Sequence, residues 1–157
     1  MNAKIRKVSP NDVLEIKKVI DSTQLFPSEL LDEMIQPYFT NPNSNEIWLT
    51  SVDEHHKPIA VAYCAPEKLT VGTFNLYLIA VRVDYQNKGV GKEIMIYLEN
   101  FLKQQNERVL IVETSSLEEF DKTRRFYDKC NYIRQAVIKD FYQDGEDKII
   151  FWKKLKS

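Results

Sequence analysis

The middle of the chain constrains the fold most tightly. Residues 75–83 (NLYLIAVRV) are nearly continuous apolar sequence, the mark of a central strand covered on both faces. A short polar turn follows. Residues 89–105 then carry Val90, Ile94, Leu98, Phe101 and Leu102 at helical spacing. Residues 108–114 (RVLIVET) read as a second buried strand. A strand, a helix and a strand in that order imply parallel pairing, because two parallel strands need a crossover between them.

The flanking segments complete the order. Residues 3–8 (AKIRKV) alternate charged and apolar residues, as a half-buried strand does. Ser9 stands at a helix N-cap position, with Pro10 at the first helical place and Asp12 where a capping-box acid reaches back. Val13, Ile16 and Ile20 line one face of that helix. Ser28 can cap a shorter helix carrying Leu30, Leu31, Met34 and Ile35, which is expected to stop near Pro37. Residues 46–52 and 58–65 read as a hairpin joined by residues 53–57. After the βαβ unit, Ser115 or Ser116 can cap a helix ending at Cys130-Asn131, where Asn suits a left-handed stop. Residues 132–140 and 148–155 are strands around Asp144-Gly145, a hairpin turn signal. The expected fold is α/β, ordered β-α-α-β-β-β-α-β-α-β-β. One mixed sheet should carry helices on both faces, in a single domain over residues 1–157.

Composition removes several classes of function. Hydrophobic residues make up 43% and charged residues 29%, enough apolar material for a real core. The formal net charge of -1 gives no basic field for nucleic acid or an anionic membrane. No apolar run reaches the ~20 residues of a membrane helix, and the N-terminal residues lack the apolar stretch of a secretory signal. Cys64 and Cys130 lack metal-ligand spacing and read as reduced, partly buried thiols of a cytoplasmic protein. His55 and His56 sit in a turn without a third ligand nearby, so no metal is expected.

Only four glycines occur, and Gly89 and Gly91 open the same helix. Glycine weakens a helix by up to ~1 kcal/mol relative to alanine. One reason to tolerate it is close backbone approach to a ligand, here a phosphate held on helix N-terminal N–H groups with Lys88 and Lys92 beside it. A plain tight turn explains the glycines equally well. A P-loop is excluded, because Glu93 follows Gly91-Lys92 and Gln86 stands where its first Gly belongs. A dinucleotide loop is disfavoured by Ile94 at its third glycine position, although Glu113 lies at a suitable distance downstream.

The pattern Gln86-Asn87-Lys88-Gly89-Val90-Gly91 after a central strand resembles the [R/Q]-x-x-G-x-[G/A] signature of the GNAT (GCN5-related N-acetyltransferase) superfamily. Thr123-Arg124-Arg125-Phe126-Tyr127, followed by Cys130-Asn131-Tyr132, resembles the family's R-x-F-Y helix and its G-[F/Y] turn. Residues 139–148 are similar to the terminal hairpin of bacterial members. The resemblance covers about residues 70–155. Asn131 replaces the usual Gly, and Phe120 stands where many members carry a cofactor-binding Asn.

The resemblance implies acetyl-CoA as co-substrate and an amine as acceptor. The pyrophosphate would rest on the loop of Gln86, Asn87, Lys88, Gly89, Val90, Gly91 and Lys92. The pantetheine arm would run beside Ile79, Ala80 and Val81, whose backbone would also polarise the thioester. Tyr127 matches the family's general acid; packing on a buried helix face is its alternative role. Glu113 is the candidate base and Glu67 a second; each is also readable as an ordinary surface or N-cap-region acid, and many members rely on water chains instead of a base. Phe26, Trp48, Tyr63, Phe74 and Tyr77 lie on segments able to border an acceptor site, with core packing as the alternative role for most of them. A homodimer is the family's habit, and an acyl-CoA-binding sensor without turnover is the competing function.

Overall fold

The first helix begins as its sequence prescribes. In the computed structural model, which describes residues 4–155, β1 (Lys4–Lys7) leads into a 3-10 turn at Pro10–Asp12 and then α1 (Val13–Thr23). Ala3, the first residue of the expected strand, lies outside the described residues. Asp12 accepts the Ser9 N–H at 2.8 Å and the Ser9 hydroxyl at 3.1 Å. Arg6 donates to both Asp12 oxygens at 2.7 and 2.8 Å, which ties β1 to the helix entrance. The helix ends at Gln24 in the left-handed region.

The second helix departs from expectation. α2 (Leu31–Thr40) does not stop at Pro37 but runs through it for three more residues. A proline inside a helix removes one N–H and costs about 3 kcal/mol. Tertiary contacts offset that cost: Tyr38 donates its hydroxyl to the Val8 carbonyl at 3.1 Å, and Tyr38 and Phe39 pack on the core. The Pro37 carbonyl still accepts from Asn41 at 3.0 Å.

The remaining elements are β2 (Ile47–Val52), β3 (Pro58–Pro66), β4 (Thr73–Val81), α3 (Val90–Gln104), β5 (Val109–Ser115), α4 (Asp121–Lys129), β6 (Ile133–Gln143) and β7 (Glu146–Lys154). The strands form one mixed sheet in the order β1-β2-β3-β4-β5-β7-β6. The expected element order and mixed sheet are observed. Of the described residues, those up to Ala65 together with Leu78–Leu98 form one compact unit; Pro66–Tyr77 together with those from Glu99 onward form a second.

In the first unit, Ile16, Val19 and Ile20 of α1 and Leu31 and Ile35 of α2 pack with Trp48, Val61, Leu78 and Ala80. Each such large side chain contributes roughly 1.5–3 kcal/mol by leaving water. Val81 turns instead to Ile59, Ala60 and Val90 of α3. Adjacent residues of a strand point to opposite faces, so helices cover β4 on both sides. The β2–β3 hairpin closes through Asp53, whose carboxylate accepts the N–H groups of His55 and Lys57.

In the second unit, the first half of β4 pairs in parallel with β5, from Thr73–Val109 to Leu76–Val112. β5 pairs antiparallel with β7, and β7 with β6. The terminal strands are longer toward their turn than the sequence suggested. Gln143 pairs with Glu146 across Asp144-Gly145, and Gly145 adopts φ +84°. An irregularity at Asp140 (φ 54°) absorbs the extra residues. α4 stops at Asn131, in the left-handed region at φ 68° as expected of Asn.

Candidate functional site

In the first unit, the end of β4 is held by the bond from the Arg82 N–H to the Ile59 carbonyl at 2.8 Å. A 3-10 turn at Val83–Tyr85 follows. The Gln86 side-chain amide donates to the Val81 carbonyl at 3.0 Å, and its N–H to the Val83 carbonyl at 3.3 Å. Gln86 therefore ties the loop to the strand end. Arg82 pairs with Asp84 at 2.7 Å. The Arg82 and Lys88 cations lie 4.8 and 5.4 Å from the Tyr85 ring centre.

Two residues of this loop are left-handed: Asn87 at φ 61° and Gly89 at φ +84°. Asparagine tolerates that region and glycine occupies it without steric cost. Gly89 is thus required by its backbone conformation as well as permissive of a ligand. A Cβ built on it would meet no atom within 4 Å, so the space over the loop is open. The first bond of α3 runs from the Glu93 N–H to the Gly89 carbonyl at 3.0 Å. The N–H groups ahead of it have no partner within the helix and carry its positive dipole end. Asn87, Lys88, Gly89 and Lys92 are exposed. The loop has the open space, the donors and the charge that a pyrophosphate requires. Ala80 buries its side chain in the first core described above, and Val81 packs half-buried against the second, so what they chiefly offer a ligand is backbone; Ile79 is half-buried.

In the second unit, Tyr127 is 3% exposed, and its ring packs on Phe151 (5.3 Å between centres) and Tyr132 (6.0 Å). Burial pushes its hydroxyl well above the usual tyrosine value, with Cys130 adding to the effect. Arg124 of the same motif is also buried. It donates to the Ser115 and Leu117 carbonyls at 2.6 and 2.8 Å and so braces the connection from β5 to α4. Arg125 pairs at the surface with Asp121 at 2.9 Å. Phe120 occupies the position directly before α4.

Register separates the two candidate catalytic groups. Val112 stands opposite Phe151, the residue under Tyr127, whereas Glu113 stands opposite Ile150. Alternation along the strand puts Glu113 on the other face of the sheet from Tyr127. There Glu113 meets Lys148 at 3.1 Å, and the Lys148 ammonium lies 3.5 Å from the centre of the Phe141 ring.

Glu67, the second candidate base, is part of a side-chain cluster on residues flanking the turn between β3 and β4. It accepts the Tyr77 hydroxyl at 2.6 Å and the Asn75 amide at 2.9 Å. These two bonds, Tyr77 first, hold its carboxyl below the usual carboxylate range. Burial and then Glu67 push the Tyr77 hydroxyl up. Asn75 escaped the sequence reading, although a polar residue inside a run buried on both faces is itself a signal. Among the described residues no group of three or more metal-ligating side chains is gathered.

A family model described as the acetyltransferase (GNAT) family matches residues 14–132. The chain belongs to the GNAT acetyltransferase family. A solved GNAT acetyltransferase from Desulfovibrio desulfuricans is 27% identical, superposes with a TM-score of 0.92, and is matched over 99% of this chain and 100% of its own. The Escherichia coli ribosomal-protein-S18-alanine N-acetyltransferase is 16% identical with a TM-score of 0.77, over 99% of this chain and 96% of its own. An aminoglycoside 6'-N-acetyltransferase solved with coenzyme A is 14% identical with a TM-score of 0.77, over 98% of each chain. At those two identities the likeness is one of GNAT fold. An N-acetyltransferase of Methanocaldococcus jannaschii is 30% identical over 86 residues, 53% of each chain. The matched stretch thus spans about half of that curated relative.

Proposed function

We propose that this GNAT protein transfers an acetyl group from acetyl-CoA to an amine, as a single catalytic domain. The observation that carries the reading is the loop from Gln86 to Lys92. Its two left-handed residues, open space and exposed lysines form an anion cradle at the mouth of a fifteen-residue helix. The family model runs from α1 to Tyr132 and so draws on both units, which supports one domain.

Each residue of the site has a task. The N–H groups of residues 87–92 hold the pyrophosphate, with Lys88 and Lys92 adding charge. The backbone of Ile79, Ala80 and Val81 lines up the pantetheine arm by strand-like pairing. The thioester supplies the activated acetyl group. Tyr127, by its match to the family motif, is assigned the donor to the leaving thiolate. Its raised pKa lies above the ~8.5 of a thiol, so Tyr127 stabilises the thiolate chiefly as a hydrogen-bond donor. Glu113 takes the proton of the attacking amine, directly or through water. Holding the two substrates together supplies much of the remaining acceleration.

The burial of Tyr127 and the engagement of Glu113 by Lys148 support a second reading, a CoA-binding sensor without turnover. One pair of measurements separates them. Calorimetric titration with acetyl-CoA is expected to give a dissociation constant in the range of about 1 μM to 1 mM usual for enzyme substrates; absence of binding sinks both readings. Thiol release on an amine panel supports the enzyme, and binding without release on any amine supports the sensor.

No helix among the described residues is long and apolar enough to cross a membrane. Cys64 and Cys130 are buried thiols outside any disulfide, which supports a cytoplasmic location. The net charge of -1 supports a small-molecule or peptide acceptor over nucleic acid. Exposed Ile133, Val137 and Ile138 on the edge strand β6 support a homodimer.

A further inference from the structure

On the sheet face that carries Glu113, two acceptor atoms are left without donors. Both hydrogen bonds to Glu67 converge on one oxygen, Oε1. Among the described residues Oε2 receives none, and Glu67 makes no ion pair. The second atom is Asn75 Oδ1. Asn75 is 1% exposed and its nitrogen is committed to Glu67, yet its oxygen has no hydrogen-bond partner. A buried polar atom left unmade costs about 1–3 kcal/mol, so a native chain rarely keeps one without a reason. A full negative charge, a second oxygen and the half-exposed ring of Tyr77 (48%) together suit a group with several N–H donors and a positive charge.

The neighbouring side chains already hold such a group. The Lys148 ammonium sits between the Glu113 carboxylate and the Phe141 ring. It also reaches Glu67 electrostatically, as Glu113 reaches Tyr77. Lys148 makes its contact ion pair with Glu113, and the two groups hydrogen-bonded to Glu67 are neutral.

We propose that Glu67, Asn75 and Tyr77 form an ammonium-anchoring subsite that selects acceptors with a second basic nitrogen: diamines and longer polyamines. The proposal rests on the amine-acetylation reading and names its substrate class. The anchored nitrogen is not the one that reacts. A carboxylate ion pair favours the protonated amine, and a protonated amine has no lone pair for attack on the thioester. Glu67 stays ionised because its two donors favour the carboxylate, which makes it an anchor and a poor base. The acceptor is then held at one end by Glu67 and Asn75, with its carbon chain along Tyr77, while the other amine is free to lose its proton.

The test is equilibrium binding of α,ω-diamines, from propane to hexane, against the matching n-alkylamines. It is run by calorimetry at low salt, with and without CoA. At least one diamine should bind about 10-fold or more tightly than its monoamine. Glu67→Gln should remove that preference, and added salt should shrink it. Tyr77→Phe, which keeps the ring and loses the donor, should weaken it in part, with thermal unfolding checked for each variant. Equal binding of diamines and monoamines, or a preference that survives Glu67→Gln, overturns the proposal. Because binding is read directly, a protein that binds diamines but never releases CoA thiol refutes the transferase reading and leaves the subsite standing. Turnover without diamine preference does the reverse.

Discussion

The proposed anion loop at the head of α3 and the acidic face around Glu67 and Glu113 are built in opposite ways. The loop is seven consecutive residues, and its chemistry is mostly backbone: φ values at Asn87 and Gly89 and the free N–H groups of a helix start. The acidic face gathers residues 67, 75, 77, 113 and 148 from four segments of the chain, and its chemistry is side-chain: carboxylates, a tyrosine, an orphaned amide and an ammonium over a ring. A contiguous backbone device suits a ligand common to a whole family. A dispersed side-chain device can change one residue at a time, which suits the partner that differs between members. If that division holds, the two regions should fail separately when mutated.

The largest effect is expected at Gly89. Gly89→Val forces a β-branched residue into φ +84° and places methyl groups in the open space over the loop. Acetyl-CoA affinity should fall by about 100-fold or more, since the left-handed penalty of ~1–2 kcal/mol adds to the blocked approach. Diamine binding should change little, and a matched loss of both ligands would break the comparison.

Next is Tyr127→Phe, which removes only the hydroxyl. As a donor to a thiolate it is worth ~1.5–3 kcal/mol, so kcat should drop about 10- to 100-fold with little change in the KM for acetyl-CoA. Steady-state kinetics with thiol detection reads this. An unchanged kcat would return Tyr127 to a packing role under Phe151.

The smallest effect on function is expected from Asp12, which belongs to the same unit as the loop but lies apart from it in sequence and in bonding. Asp12→Asn breaks the Arg6 pair and weakens the helix entrance, at a cost of about 1–2 kcal/mol in urea unfolding at neutral pH. The folded Asp12 carboxyl is depressed, first by its Arg6 bond. Its contribution is therefore present above the unfolded value of ~3.9 and is lost as pH falls through the folded value. Wild type and variant should converge in strong acid. Acetyl-CoA affinity should stay the same; a fall would mean that loop effects report stability rather than contact.

The βαβ core, the Ser9–Asp12 entrance, the Asn131 stop and the Gly145 turn were legible in sequence because each is local. A period, a cap or a φ preference acts within a few residues. Local rules failed at Pro37, where packing of Tyr38 and Phe39 outweighed the lost hydrogen bond. They left the glycine pair open between a tight turn and a ligand loop, and the φ of Gly89 already accounts for one of the two glycines.

The order of the elements, the glycine loop and the family motif around Tyr127 could be read from the residues alone, since all three depend on neighbours in the chain. The folded chain alone shows that Tyr127 and Glu113 face opposite sides of the sheet, because strand register is a long-range pairing. Only it could reveal that Gln86 works as a tie to Val81 and Arg124 as a brace, since a side chain's partner is set in space. The unanswered oxygen of Asn75 is the clearest case. Its residue type is plain in the sequence, but whether a buried amide finds a donor depends on every element folded around it.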